Sequence, residues 1–246
     1  MKDFVLNQPN LDKIEDIFST LGGKFVIPPS EMKNILKRVK CFLFDWDGVF
    51  HAGKKEENSI GGFSEIDSMG INLLRYGYWL INNELPYIGI ITGEENEPAK
   101  NFAYREHFSS VYLGINDKRR ALEHICDTIK ITPNQMCCMF DDVNDISMSQ
   151  DCGLKIQVRR DASPLFMCLS LDNKFCDYIT AYTGGDSAIR EVCELLLGLM
   201  GVYEKTVERR IRYDNTYMSY WEIRNKIIPK YFSITDNKIY LIEENI

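Results

Sequence analysis

An apolar run that ends in two carboxylates constrains this chain more than any other segment. Residues 41–50 read CFLFDWDGVF, with Asp45 and Asp47 one residue apart and Gly48 directly after them. A short, uninterrupted apolar run of this kind predicts a buried parallel strand. Its polar tip then sits at the strand's carboxyl end, where open α/β sheets take their ligands. Two acids crowded at one strand tip repel each other unless something positive joins them. The segment is therefore a candidate site for Mg²⁺ and for phosphoryl transfer.

The pattern recurs along the chain. VKCFLFD is the first predicted strand, YIGIIT ending at Thr92 the second, and VYLG a short third. MCCMFD ending at Asp141 is the fourth, with KIQV from Lys155 and DYIT from Asp177 following. Helices are predicted from Asp67 to about Asn82 and over 96–107, 117–129 and 187–200. Ile71, Leu74, Tyr78 and Ile81 mark the first of them by their spacing. Such alternation implies an α/β fold, a Rossmann-like, doubly wound and mostly parallel sheet. Residues 50–64, which hold Gly53, Gly61 and Gly62, read as a β-hairpin flap.

Two segments flank this core of residues 39–200. The prefix, residues 1–38, predicts a helix from Pro9-Asn10 to Thr20, with Ile14, Ile17, Phe18 and Leu21 on one face. A second short helix starts at Pro28-Pro29, with Ser30 as its cap. In the C-terminal extension, residues 201–246, the stretch 202–227 is charged, aromatic and helix-compatible, and NKIYLIEE reads as a final strand.

Composition excludes several classes. A chain of 246 residues with 45% hydrophobic content is an ordinary globular protein. Its net charge of -7 argues against nucleic acid or an anionic membrane as partner. No run reaches the roughly 18 to 20 apolar residues of a membrane span, and the N-terminus lacks a signal peptide's apolar stretch. The 8 cysteines fall mostly inside apolar runs without zinc-site spacing. They read as reduced core thiols, hence a cytoplasmic protein.

Three predicted strand tips carry side chains suited to one reaction. The first delivers Asp45 and Asp47, the second Thr92 followed by Gly93, and the fourth Asp141 and Asp142 with Asp145 just beyond. Lys118 opens the helix after the third strand. A carboxylate can attack phosphorus. Mg²⁺ can relieve its repulsion from the phosphoryl oxygens. A Thr hydroxyl and a Lys ammonium can hold the remaining oxygens, and a second acid can protonate the leaving alcohol. Each piece alone has a structural reading: turn, helix cap or surface lysine. Their order and spacing together point to a shared phosphate site.

FDWDGVF, IITGE, Lys118 in INDKRRAL, and FDDVND resemble the four motifs of the haloacid dehalogenase superfamily of phosphatases. GINLL, GLKIQV followed by DASP, and DYITAYTGGDSAIREVCELLL resemble its small capless branch. That branch acts on 3-deoxy-octulosonate 8-phosphate and on nine-carbon, sialic-acid-type 9-phosphates. The resemblance covers about residues 39 to 200. It implies Asp45 as nucleophile and Asp47 as general acid and base. Thr92 and Lys118 would bind the phosphoryl group. Asp45, Asp47 (through its carbonyl) and Asp141 would hold Mg²⁺, with Asp142 and Asp145 orienting the metal shell. It implies Gly93, Glu94 and Arg105 as substrate-binding positions, and a homotetramer that closes the site without a cap domain.

Some positions depart from the pattern. Trp46 stands where a small or aliphatic residue is usual and would narrow the pocket. Phe140 replaces a glycine and would crowd the metal loop. His51-Ala52 stand where Thr-Asp is usual, and His51 is a further candidate to approach a substrate. Glu94 reads equally as a substrate contact or as a carboxylate in the first turn of the next helix. His107 and His124 read as surface or packing residues, and Arg209, Arg210 and Arg212 as a solvated helix face. The expected activity is a Mg²⁺-dependent sugar-acid phosphatase. The alternatives are a phosphatase for another small phosphate ester and a non-catalytic scaffold that binds a partner through its extensions.

Overall fold

The computed structural model describes residues 8–54 and 63–243, and its apolar runs are strands of one sheet. These are β1 (Lys24–Phe25), β2 (Cys41–Phe44), β3 (Tyr87–Ile91), β4 (Ser110–Tyr112), β5 (Met136–Phe140), β6 (Leu154–Arg159), β7 (Tyr178–Thr183), β8 (Lys230–Thr235) and β9 (Lys238–Leu241). Their order is β1-β7-β6-β5-β2-β3-β4-β8-β9. Pairing is parallel from β7 across to β8, and only the outermost strands β1 and β9 run antiparallel to their neighbours.

The central strands β2, β3 and β5 are apolar throughout because both of their faces are covered. Phe42 and Phe44 of β2 point into one core, while Cys41 and Leu43 point into the other. Cys137 and Cys138 divide the same way, so adjacent thiols face opposite sides of the sheet. Helices α1 (Leu11–Leu21), α2 (Pro29–Leu36), α3 (Glu65–Asn82) and α8 (Ala188–Met200) line the first face through Ile14, Met32, Leu74 and Leu196. Helices α5 (Lys118–Ile129), α6 (Ile146–Ser149) and α7 (Pro164–Asn173) line the second through Leu122, Met148 and Phe166. Helix α4 (Glu97–Arg105) follows β3 and adds Ala99 and Phe102 to the first core. No cap domain interrupts the described residues.

Both flanking segments join this sheet. β1 pairs with β7, and β8 continues the parallel sheet beyond β4. The C-terminal helices α9 (Tyr203–Arg212) and α10 (Asn215–Arg224) pack back on α3, with Tyr217 and Tyr220 against Tyr76. Buried Glu106 fastens this arrangement, accepting from Arg224 Nη2 at 2.6 Å and from Ser68 Oγ at 2.8 Å.

Several expectations are corrected. β8, with the sequence KYFSIT, is a strand not expected from the sequence; it lies between the helix-compatible stretch 202–227 and the expected last strand. α7 was not expected; its hydrophobic residues lack a single stripe, and Leu165 is exposed. Ser30 is not the cap of α2, because Pro28 holds that position without a side-chain bond. Ile17, Leu21 and Ile81 are exposed rather than core. All eight cysteines are free thiols, but Cys168 is exposed and Cys126 only partly buried. His107 lies beyond the end of α4 rather than in it. The expected flap at 50–64 falls mostly outside the described residues.

Candidate active site

Strand register brings the expected residues together. Phe44 of β2 pairs with Ile90 of β3 on one side and with Met139 of β5 on the other. Asp45, Thr92 and Asp141 therefore leave the same sheet edge side by side. β2 is also where the chain order reverses, with β3 on one flank and β5 on the other, which opens a crevice at the strand ends. A cavity of about 370 Å³ lies there, lined by Asp45, Asp47, Gly93, Glu94, Lys118 and Asp141, with Asp142, Asp145 and Arg160 on its wall.

Lys118 opens α5 and reaches across to the carboxylates. Its ammonium is paired with Asp45 Oδ1 and lies 2.5 Å from Asp145 Oδ1. Burial works against its charge, but the two carboxylates outweigh burial and hold its pKa above the ordinary value. Asp145 in turn accepts from the backbone N–H groups of Asp141 and Asp142, each at 3.3 Å, and so ties the loop after β5.

Asp47 sits on the opposite wall, partly exposed. Its Oδ2 accepts from Asn96 Nδ2 at 2.8 Å, and the same amide donates to Thr92 Oγ1 at 2.6 Å. His51 Nε2 lies 3.2 Å from Asp47 Oδ1. Gly48 permits the turn between them with φ +87°. A side chain there would collide with the Asp141 carboxylate.

Ligating oxygens of Asp45, Asp141 and Asp145 lie within 4.8 Å of one another, and all three residues are buried. Burial raises Asp45 to about 6 against the opposing charge of Lys118, and burial, then the charges of Asp45 and Asp145, raise Asp141 to about 8. Three crowded, buried carboxylates, two of them held above their usual range, suit a hard, oxygen-binding cation that would relieve their mutual repulsion. The donor set fits Mg²⁺.

Asp142 is more exposed and caps the following turn through Val143 N–H. Arg105 does not line this cavity; it makes a bidentate pair with Glu65 at 2.6 Å and stacks on Phe63. Trp46 does not narrow the pocket either. It is buried among Phe50, Phe102 and His51. Phe140 points into the second core, away from the metal loop. Asn96 and Arg160 were not anticipated. Asn96 lies in the ITGEENE segment after β3, and Arg160 directly follows β6; both are polar residues beyond strand tips, the signal that marked the others.

No family model matches the chain. Among curated proteins, the 3-deoxy-D-manno-octulosonate 8-phosphate phosphatase of Yersinia pestis is 29% identical over 151 residues, which is 61% of this chain and 73% of that protein. A Vibrio cholerae structure provisionally assigned the same activity is 30% identical with a TM-score of 0.58, over 71% of this chain and 91% of its own. The chain belongs to the haloacid dehalogenase superfamily of phosphatases. As a member of that superfamily it is a phosphoric monoester hydrolase. A further similar structure, the 3-deoxy-D-manno-octulosonate 8-phosphate phosphatase of Moraxella catarrhalis, was solved in complex with a magnesium ion, a phosphate ion and a KDO molecule. It is 26% identical with a TM-score of 0.61, over 74% of this chain and 98% of its own.

Proposed function

We propose that this protein is a Mg²⁺-dependent phosphatase for a sugar-acid phosphate. The substrate is an eight- or nine-carbon 3-deoxy sugar acid with its phosphate on the terminal carbon. The observation that carries the reading is the juxtaposition of Asp45, Asp47, Thr92, Lys118 and Asp141 at one sheet edge. The octulosonate relatives support the substrate class.

Asp45 attacks phosphorus as its carboxylate, and the phosphorus–oxygen bond to the sugar breaks. Asp47 gives its proton to the departing alkoxide and then takes one from the water that attacks the aspartyl phosphate. That second displacement releases phosphate and restores Asp45. His51 and Asn96 orient Asp47 from two sides. Lys118 and the Thr92 hydroxyl hold the phosphoryl oxygens, and Lys118 keeps Asp45 ionised despite its burial. Asp45, Asp141, Asp145 and the Asp47 carbonyl would hold Mg²⁺, which supplies positive charge against the phosphoryl oxygens.

Gly93 and Glu94 line the cavity beyond the reacting group and belong to the substrate-binding wall. Arg105 can act on substrate only at a site other than this cavity of its own chain, consistent with a homotetramer. Exposed Ile66 and Met69 at the start of α3 supply apolar surface for such an assembly. A panel of kcat/KM values for octulosonate 8-phosphate, nonulosonate 9-phosphates and simple sugar phosphates tests the substrate class. The longer sugar acids lead it if the reading holds.

A further inference from the structure

Arg160 lines the active-site cavity, yet the reaction above gives its charge no role. It lies directly after β6, where the register against β7 shifts between Gln157 and Arg159. That shift places it at the carboxyl edge of the sheet, beside the loop after β5. Its Nη2 is paired with Asp141 Oδ2, and its Nη1 lies 3.4 Å from Asp142 Oδ2. The Asp141 side chain is only 2% exposed, whereas that of Arg160 is 34% exposed. The acid is fixed in the wall, and the guanidinium reaches in from the rim.

The fit depends on glycine. A Cβ at Gly48 would collide with both the Asp141 carboxylate and the Arg160 guanidinium, and one at Gly53 would lie 3.6 Å from Arg160 Nη2. Asp141 Oδ2 is paired with Arg160 Nη2, so the guanidinium supplies its compensating charge. The other groups facing this point are Asp45, Asp142 and Asp145, all acidic, with Lys118 held on Asp45 and Asp145.

A divalent ion bound by Asp45, Asp141 and Asp145 and a guanidinium on Asp141 compete for one carboxylate. They also repel each other as like charges at short range. Asp142 offers the guanidinium a second, more exposed partner a small movement away. We propose that Arg160 is a resident cation of the metal loop: it compensates Asp141 until Mg²⁺ binds, then withdraws onto Asp142. Its presence lowers the affinity of the site for Mg²⁺. The inference rests on the metal reading of this cavity, and the role is one of positioning, since Arg160 acts through Asp141.

The test is calorimetric titration of Mg²⁺ into metal-stripped wild-type protein and into Arg160→Ala, Arg160→Gln and Asp141→Asn. The glutamine variant keeps much of the side-chain volume, so that folding and charge are separated. Both Arg160 variants are expected to bind Mg²⁺ about tenfold more tightly than wild type, and Asp141→Asn to lose most binding. Arg160 variants that bind as wild type or more weakly, while Asp141→Asn loses binding, overturn the role of Arg160 and leave the metal reading standing. No binding by any of the four proteins overturns both. A crystal structure of the Mg²⁺ form gives a second readout: Arg160 on Asp142 alone is expected, and Arg160 still on Asp141 overturns the proposal.

Discussion

Gly184 packs directly on the carbonyl oxygen of Gly48, so closely that a Cβ added to Gly184 would lie well inside van der Waals contact with it. The loop after β7 thus braces the loop that carries Asp45 and Asp47. This gives the TGGDS segment, far from the motif residues in the chain, a mechanical part in the site. Gly184→Ala must push the Gly48 backbone, and with it Asp47. A displacement near 1 Å at a reacting group costs about 10²-fold in rate. Steady-state kinetics on Gly184→Ala are expected to show a loss of that order in kcat, with the protein still folded by circular dichroism.

Asp67 gives the fold a pH dependence of its own. It is fully buried, and its Oδ1 accepts from Arg190 N–H at 2.8 Å in the first turn of α8. Burial outweighs that bond and the Arg190 charge, and raises its pKa from 3.8 to about 6. A carboxyl raised in the folded state binds more protons there than in the unfolded chain. Its contribution to stability therefore falls as pH rises from about 4 to 6. Asp67→Asn keeps the accepting oxygen and removes the titration. Urea unfolding at pH 4 and pH 7 is expected to show the variant gaining about 2 to 3 kcal/mol on wild type across that interval. A constant difference between the two proteins contradicts this assignment.

Glu106 joins the C-terminal extension to the core. It is buried with Arg224, which is itself 5% exposed, and it also accepts from Ser68. Removing one partner of such a pair strands the other charge, at a cost of about 3 to 5 kcal/mol. Glu106→Ala is expected to lose stability of that size in chemical denaturation. A loss under about 1 kcal/mol, the scale of exposed pairs, would show that the link is not a buried one.

The proposed assembly is checked by light scattering. One chain is 28.6 kDa, and a species of four times that mass is expected at micromolar concentration. A mass that stays at one chain would remove the proposed role of Arg105 at a neighbour's site.

The centre of the candidate site was legible because its signals are local. The apolar runs of β2 and β5 end in aspartates that line the cavity, and that of β3 ends in Thr92 beside cavity-lining Gly93, so strand prediction and site prediction were one inference. What escaped depended on tertiary placement. Arg160 and Asn96 lie in irregular segments, where only the neighbouring strands decide which way a side chain reaches. β8, KYFSIT, shows no clean alternation of polar and apolar residues, and pairing with β4 on one side and β9 on the other is what makes it a strand. Trp46 and Phe140 looked like obstructions because residue type was read without the alternation that sends both into the cores.

The most direct test measures phosphate release from an eight- or nine-carbon sugar-acid phosphate with Mg²⁺, for wild type and Asp45→Asn in parallel. Wild type is expected to turn over with a rate that falls when Mg²⁺ is chelated, and Asp45→Asn to lose at least about 10³-fold, as removal of a nucleophile does. Equal rates for the two proteins, or silence from wild type across the whole sugar-phosphate panel, would contradict the assignment of Asp45 as the attacking residue of a sugar-acid phosphatase.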